Sequence, residues 1–185
     1  MTDTHGELVS RPQNLTATSS ADRDAVLHRA LDALAEATTH RTGFTLGFLA
    51  TSGVDGGPRV RAVILRAFDR QRVSVMVATD ARSAKVAEIE ASRAVALTVW
   101  DEEAGVQLRL EGTGRVVRDD AERTRAWEAL SESSRSQYGG FEHFAWLELR
   151  VRRLDWLDLS TAPHERWILT REAYGDAWAG GRVPA

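Results

Sequence analysis

Residues Arg61–Lys85, RAVILRAFDRQRVSVMVATDARSAK, decide how the chain is read. They spell two strands with a turn between them, then a helix that opens directly behind the second strand. Strand alternation puts Arg59, Arg61, Val63 and Leu65 on one face of the first strand, and Val60, Ala62, Ile64 and Arg66 on the other. Each arginine needs solvent, a carboxylate or a ligand anion, because burying a lone guanidinium is expensive. Ideal alternation does not aim Arg61 and Arg66 at one point, so a bulge or bend is required if both serve one site. An edge strand carrying surface charge is the plainer reading. At the helix start, Thr79-Asp80-Ala81-Arg82-Ser83-Ala84-Lys85 adds two hydroxyls and two cations to the free N–H groups and partial positive charge of a first turn. That is the chemistry of an anion site. Taken locally, an Asp80 N-cap followed by two solvated cations is the simpler account.

Outward from this stretch, short strands dominate. Upstream, Val26, Leu27, Ala30, Leu31 and Leu34 recur at helical spacing, which predicts an amphipathic helix over 22–38. Residues 1–20 are rich in Thr and Ser without periodicity and are expected to form a flexible tail, leaving 21–185 as one domain. Strands are expected over 44–51, 58–66 and 73–79, with Val54-Asp55-Gly56-Gly57-Pro58 turning between the first two. A helix over 81–91 precedes a hairpin over 94–100 and 106–117. Asp119 and Asp120 are placed to cap a helix running to Ser131, and 131–140 reads as loop. Further strands are expected over 144–152, 154–159 and 167–170, before an extended tail from Gly180. Strands and helices without regular alternation predict a mainly β fold with flanking helices, an antiparallel barrel.

Composition narrows the function classes. The 185 residues suit one domain, and 43% hydrophobic with 28% charged residues is ordinary for a globular chain. A net charge of −3 argues against protein-wide affinity for nucleic acid or an anionic membrane, while leaving room for a local basic pocket. Without cysteine there are no disulfides, thiolate zinc sites, iron–sulfur clusters or cysteine nucleophiles. The N-terminus MTDTHGELVS lacks the apolar core of a signal peptide, and no apolar run nears the ~20 residues that span a bilayer. A cytoplasmic location is expected. Dinucleotide-binding glycines, a P-loop, a nucleophile elbow and a metal-ligand set are all missing from the sequence.

Two downstream stretches carry polar side chains in usable patterns. In Val106-Gln107-Leu108-Arg109-Leu110-Glu111, Gln107, Arg109 and Glu111 share one face. The strand reads as half-buried, with its polar side in water. Gln107 there has both donor and acceptor for the edge of a flat heterocycle. Farther on, Trp156 precedes Pro163-His164-Glu165-Arg166-Trp167, where His164 and Arg166 share a strand face. A lone histidine of this kind is usually a satisfied surface or core group.

In order, R-x-V-I-L-R (Arg61–Arg66), A-T-D-x-R-S-x-K (Ala78–Lys85), Q-L-R-L-E-G (Gln107–Gly112) and W…H-E-R (Trp156, His164–Arg166) resemble the pyridoxamine 5′-phosphate oxidase-like family of FMN-binding split barrels. The FMN-binding-domain branch is the better match: its L-R-x-F-D, T-D-x-R-S-x-K and W-x-x-L-S…R-x-Q-Y correspond to Leu65–Asp69, Thr79–Lys85, Trp127–Ser131 and Arg135–Tyr138. The resemblance covers about residues 25–185. It implies a six-stranded antiparallel split β-barrel and a homodimer with FMN at each end of the subunit interface. It implies that Arg61 and Lys85 grip the FMN phosphate, helped by Thr79 and Ser83, with Arg66 close by. The backbone of Val63, Ile64 and Leu65 would lie along the isoalloxazine, while Gln107, Trp156 and Arg166 would contact the flavin from the partner. Ser136 and His164 fall on the substrate side; the resemblance assigns no catalytic residue and no metal.

Two positions depart from the true oxidases. Their S-R-K is Ser83-Ala84-Lys85 here, and Arg82 is placed to stand in for the lost arginine. Their R-x-H-D-R is Ala162-Pro163-His164-Glu165-Arg166, so the first substrate-holding arginine is absent. The expected function is an FMN-dependent oxidoreductase acting on a small molecule. The alternatives are a genuine pyridoxamine 5′-phosphate oxidase and a flavin- or haem-binding module without turnover; a deazaflavin is a lesser rival to FMN.

Overall fold

The computed structural model describes residues 19–172 and 176–185. The expected tail lies outside the described residues except for Ser19 and Ser20, which already belong to the first helix. Helix α1 (Ser20–Thr39) starts where the Ser19 hydroxyl accepts the Asp22 N–H at 3.1 Å, and it buries Val26, Ala30, Leu31, Leu34 and Ala37. At its end the Thr38 and Thr39 hydroxyls turn back onto helix carbonyls.

Among the described residues the strands are β1 (Leu46–Ser52), β2 (Pro58–Asp69), β3 (Ser74–Asp80), β4 (Ala94–Asp101), β5 (Val106–Val116), β6 (Phe144–Asp158), β7 (Glu165–Arg171) and β8 (Trp178–Val183). They pair antiparallel in the order β3-β2-β1-β4-β5-β6-β7-β8, and a further β3–β6 ladder closes the first six into a barrel. The chain thus forms the mainly β, six-stranded antiparallel barrel that the sequence predicts. Helices α2 (Ala84–Ala91), α3 (Asp120–Ala129) and the single-turn α4 (Glu132–Arg135) are interposed between strands. Alternating inward side chains, among them Leu49, Val63, Leu65, Val77, Leu97, Leu108 and Leu147, fill the interior. A second cluster gathers Trp127, Tyr138, Phe141, Phe144 and Trp146 on the far side of β6, with Trp127 and Phe144 ring centroids 5.3 Å apart.

Several boundaries differ from the sequence pattern: α2 starts at Ala84 with Ser83, not Asp80, at its N-cap, and β2 runs on to Asp69. Where two strands are predicted over 144–152 and 154–159, one strand runs unbroken. Arg152-Arg153 disrupts the alternation because Gly112 pairs with Val151 and Glu111 with Arg153, which leaves Arg152 as the extra residue of a bulge. The tail expected from Gly180 belongs to β8, paired with β7. The predicted loop over 131–140 holds α4, capped by the Ser131 hydroxyl.

The opening that matters for function lies between β2 and β3. Their ladder stops at Leu65↔Val77, with Arg66 bulged out before Ala67↔Met76, while β3 continues beside β6 to Asp80. Among the described residues the β3-facing backbone edge of Arg61–Ile64 therefore has no strand beside it. Among the described residues no helix is long and apolar enough to cross a membrane.

The β5–β6 bulge needs close backbone approach: a Cβ on Gly112 would lie 1.9 Å from the Arg150 carbonyl oxygen. Gly112→Ala is expected to destabilise the protein by about 3 kcal/mol, read by urea denaturation, with a loss below ~1 kcal/mol showing that the bulge relaxes freely.

Candidate functional site

The site begins with three elements that meet at one end of the barrel. Strand β2 carries Arg61 inward, opposite Leu49 of β1. Strand β3 ends at Thr79 and Asp80, and α2 starts four residues later with Ser83 at its N-cap. The Lys85 ammonium donates to Thr79 Oγ1 at 2.8 Å, and Thr79 Oγ1 lies 3.3 Å from Ser83 Oγ. Because the Ser83 hydroxyl makes no cap bond, the first turn of α2 keeps N–H groups without a side-chain acceptor. Two cations, two hydroxyls and a helix start thus converge beside the unpaired edge of β2. Such a set suits a phosphate.

Behind this cradle stands a carboxylate that the sequence pattern did not single out. Glu88, one turn after Lys85, is buried to 4% exposure and accepts from Arg61 at 2.5 Å and from the Thr51 hydroxyl at 2.6 Å. Arg61 also reaches Thr51 Oγ1. The Thr51 hydrogen bond, then the Arg61 guanidinium, holds the Glu88 carboxyl below its usual range despite burial. Lys85 shifts the other way for a cation: partial burial, then repulsion from Arg61, lowers its ammonium below the usual lysine value. Lys85 is also the single lysine among the 24 basic Lys and Arg residues of the chain.

Arg82 does not join them. Its guanidinium and backbone N–H are both turned onto Asp80, at 2.6 Å and 2.8 Å, and its side chain stays 64% exposed. The Arg82 side chain is the main reason that the Asp80 carboxyl titrates far below its ordinary range. Arg66, at the bulge, is half-buried and makes no hydrogen bond or ion pair with a described residue. Val63 and Leu65 point into the core, and Ile64 points out of it.

The downstream candidates lie elsewhere on the sheet. Gln107, Leu157 and Arg166 form one register row across β5, β6 and β7 on the outer face. Arg166 holds Asp155 through Nε at 3.1 Å and its terminal nitrogen at 2.8 Å, and Arg109 reaches the same carboxylate at 2.9 Å. That hydrogen-bonded pairing raises the Arg166 guanidinium above its usual value. The Gln107 side chain makes no hydrogen bond with a described residue. Trp156 is on the opposite face, 6% exposed, with its ring edge against Phe44 and the Arg29 guanidinium 5.7 Å from its centroid. Its indole nitrogen is buried without an acceptor. His164 is exposed on the β6–β7 loop with Nδ1 2.9 Å from the Thr161 carbonyl, and Ser136 donates to Ser133 at 3.0 Å. Neither hydrogen-bonds to the cradle.

The family model described as pyridoxamine 5′-phosphate oxidase matches residues 33–156, which include the cradle, Gln107 and Trp156. The chain belongs to the pyridoxamine 5′-phosphate oxidase family. It is 33% identical over 142 residues to the pyridoxine/pyridoxamine 5′-phosphate oxidase of Xanthomonas axonopodis pv. citri, a match that spans 73% of this chain and 66% of that relative. In fold it is similar to a pyridoxamine 5′-phosphate oxidase-related, FMN-binding protein of Nostoc punctiforme, with a TM-score of 0.71, 23% identity, and 91% and 99% of the two chains covered. It is similar also to PhzG of Burkholderia lata, whose structure holds tetrahydrophenazine-1-carboxylic acid, at a TM-score of 0.68 and 19% identity over 88% and 92% of the chains. Ala84 and Ala162, where the sequence reading expects departures from the true oxidases, are both exposed, so neither leaves a hole in the core.

Glu88 gives the site a pH signature. Glu88→Ala is expected to cost roughly 3 kcal/mol at neutral pH, because Arg61 is left beside Lys85 without its counter-charge. The folded carboxylate titrates below its ordinary 4.5, so its stabilisation is whole above that value and is lost as pH falls through the lower folded one. Urea melts across this range should show the gap between wild type and Glu88→Ala closing on the acid side; a gap independent of pH would contradict the ion pair.

Proposed function

We propose that this protein binds FMN and works as an oxidoreductase on a small molecule, as a homodimer with FMN at the subunit interface. One observation carries the reading: Arg61, Lys85, Thr79 and Ser83 converge at a helix start beside the unpaired backbone edge of β2. A single terminal phosphate fits that cradle, and a flat ring fits along a strand edge whose N–H and C=O groups have no ladder partner. The FMN-binding relative from Nostoc punctiforme supports the same cofactor. When bound, the flavin supplies the electron or hydride chemistry. The chain's own residues bind and orient: Arg61 and Lys85 offset the phosphate charge, and the two hydroxyls complete its hydrogen bonds.

Geometry of the same kind supports the dimer. Gln107 and Arg166 lie on the outer face of β5 and β7, while the cradle opens at β2 and β3. One subunit does not bring both sets to one ligand; a second copy placed against the outer face would supply the set that is missing. That face is apolar where contact is needed: Leu46, Phe48, Val60 and Ile64 are 46%, 49%, 66% and 36% exposed on the adjacent strands β1 and β2. Phe48→Glu is expected to convert dimers to monomers in analytical ultracentrifugation; an unchanged dimer would place the interface elsewhere.

Genuine pyridoxamine 5′-phosphate oxidation is a second reading, favoured by the 33% identity to a relative of that name. Pyridoxal 5′-phosphate formed from the amine by FMN-loaded protein would establish it.

The cofactor reading has a direct test. Purified protein should take up FMN with a shifted flavin absorbance, and Lys85→Gln should weaken FMN about 10- to 100-fold, the loss of one charge-assisted hydrogen bond. Riboflavin, without the phosphate, should bind both proteins alike. FMN should also shield the sole lysine from an amine-acylating reagent in peptide mass maps. Because a bound phosphate favours the charged ammonium, affinity should be full below the lowered Lys85 pKa and fall as pH rises through it, earlier than the 10.5 of ordinary lysine. Protein that gains no flavin absorbance in FMN excess would sink the reading.

A further inference from the structure

We propose that a groove at the other end of α2 is a second anion site, built for a small molecule carrying a di- or triphosphate. Arg72, Arg93, Arg115, Arg150 and Arg152 line a cavity of about 550 Å³ together with one carboxylate, Glu148. That volume lies within the ~300–1,000 Å³ usual for ligand clefts. Five guanidiniums around one concavity are out of keeping with a chain whose net charge is −3. Arg115 is held by the buried Glu148, and Arg72 lies 3.7 Å from Asp69. Arg93, Arg150 and Arg152 make no side-chain hydrogen bond or ion pair with a described residue.

The usual reasons for surface arginine do not account for this cluster. Charges often guard a sheet edge against pairing, but β5 and the first half of β6 are interior strands of a closed barrel, with partners on both sides. The cluster is instead assembled by structure. Strand pairing sets Arg150 opposite Thr113 and Glu148 opposite Arg115, and the bulge turns out Arg152 as an added residue. The Gly114 N–H donates to the Arg93 carbonyl at 2.7 Å, which ties the loop after α2 to the groove floor. Like charges lining a cleft raise the local concentration of anions, and guanidinium forks match phosphate oxygens two at a time. Glu148 and Asp69 offset the charge of Arg115 and Arg72, and an entering anion would offset that of Arg93, Arg150 and Arg152.

A small ligand fits better than a nucleic acid. Nearby, Glu111 holds Arg153 at 2.5 Å and Glu90 holds Arg118, so these two arginines are neutralised and do not extend the groove into a basic track. The site is also separate from the FMN cradle: Lys85 is in the first turn of α2, and Arg93 lies beyond its last residue, Ala91.

Calorimetry with inorganic pyrophosphate at low salt tests the assignment. Wild type and Lys85→Gln, which removes one cradle cation and leaves the Arg61–Glu88 pair intact, should share one site of equal affinity. Arg150→Gln/Arg152→Gln should lose about tenfold or more, as should Arg93→Gln, a loop variant that leaves every strand pair intact. Binding lost with Lys85→Gln but kept in the groove variants would place the ion in the cradle and overturn the proposal. So would no binding to wild type, or a short single-stranded oligonucleotide displacing pyrophosphate at equal phosphate concentration. FMN uptake is read separately on the same variants, so failure of the cofactor reading leaves this test intact.

Discussion

Strand β6 has to pair with β3 along its first half and with β7 along its second, while β5 stays beside it for both. It is 15 residues long, against 7 for each of those partners. A strand that long cannot stay flat and close a barrel, because closure requires tilt and curvature. The chain meets this with one extra residue at Arg152 and a glycine opposite, where no side chain fits. Because β6 holds β3 as far as Asp80, β3 is free to leave β2 after Leu65↔Val77. The gap at β2, the start of α2 and the candidate cradle all follow from that closure.

Within the gap, charge is set by Glu88. A buried carboxylate next to two cations is costly unless its oxygens are satisfied, and here Thr51 and Arg61 satisfy them. Thr51 comes from β1, Arg61 from β2 and Glu88 from α2, so the same bonds that stabilise the carboxylate tie three elements together. Arg61 is thereby aimed before any phosphate arrives. A guanidinium already held in position loses less freedom on binding than one ordered by the ligand.

Much of this was legible in the sequence, for definite physical reasons. Period-2 alternation marks β2, β4 and β5 because each buries one face, and the helix-start chemistry of Thr79–Lys85 is local. The need for a bulge if Arg61 and Arg66 are to cooperate was also legible, and the bulge is at Arg66. Glu88 was not, because nothing local separates a buried acid on α2 from its exposed neighbour Glu90; only tertiary contact with Thr51 does. Trp156 and Gln107 belong to one motif order, yet they lie on opposite sheet faces, since the bulge after Val151 resets the parity of β6. Likewise Arg82 follows the anion-binding pattern but is taken by Asp80 two residues away, a local ion pair that competes with any ligand.

The chain uses arginine almost everywhere it needs a cation, so the one lysine, Lys85, calls for a physical reason. An arginine in its place would set a second planar fork against Arg61, permanently charged and wanting paired acceptors. Lysine instead presents a compact ammonium on a flexible stem, which bonds Thr79 at 2.8 Å and leaves room at the helix start. It is also the cation that burial and Arg61 can shift, as they do. Arg61 then supplies fixed charge, Glu88 fixes its direction, and Lys85 is the member whose proton answers to what enters the cradle. A phosphate entering the candidate cradle would favour the charged ammonium against the repulsion of Arg61, which extends to higher pH the range over which Lys85 keeps its charge.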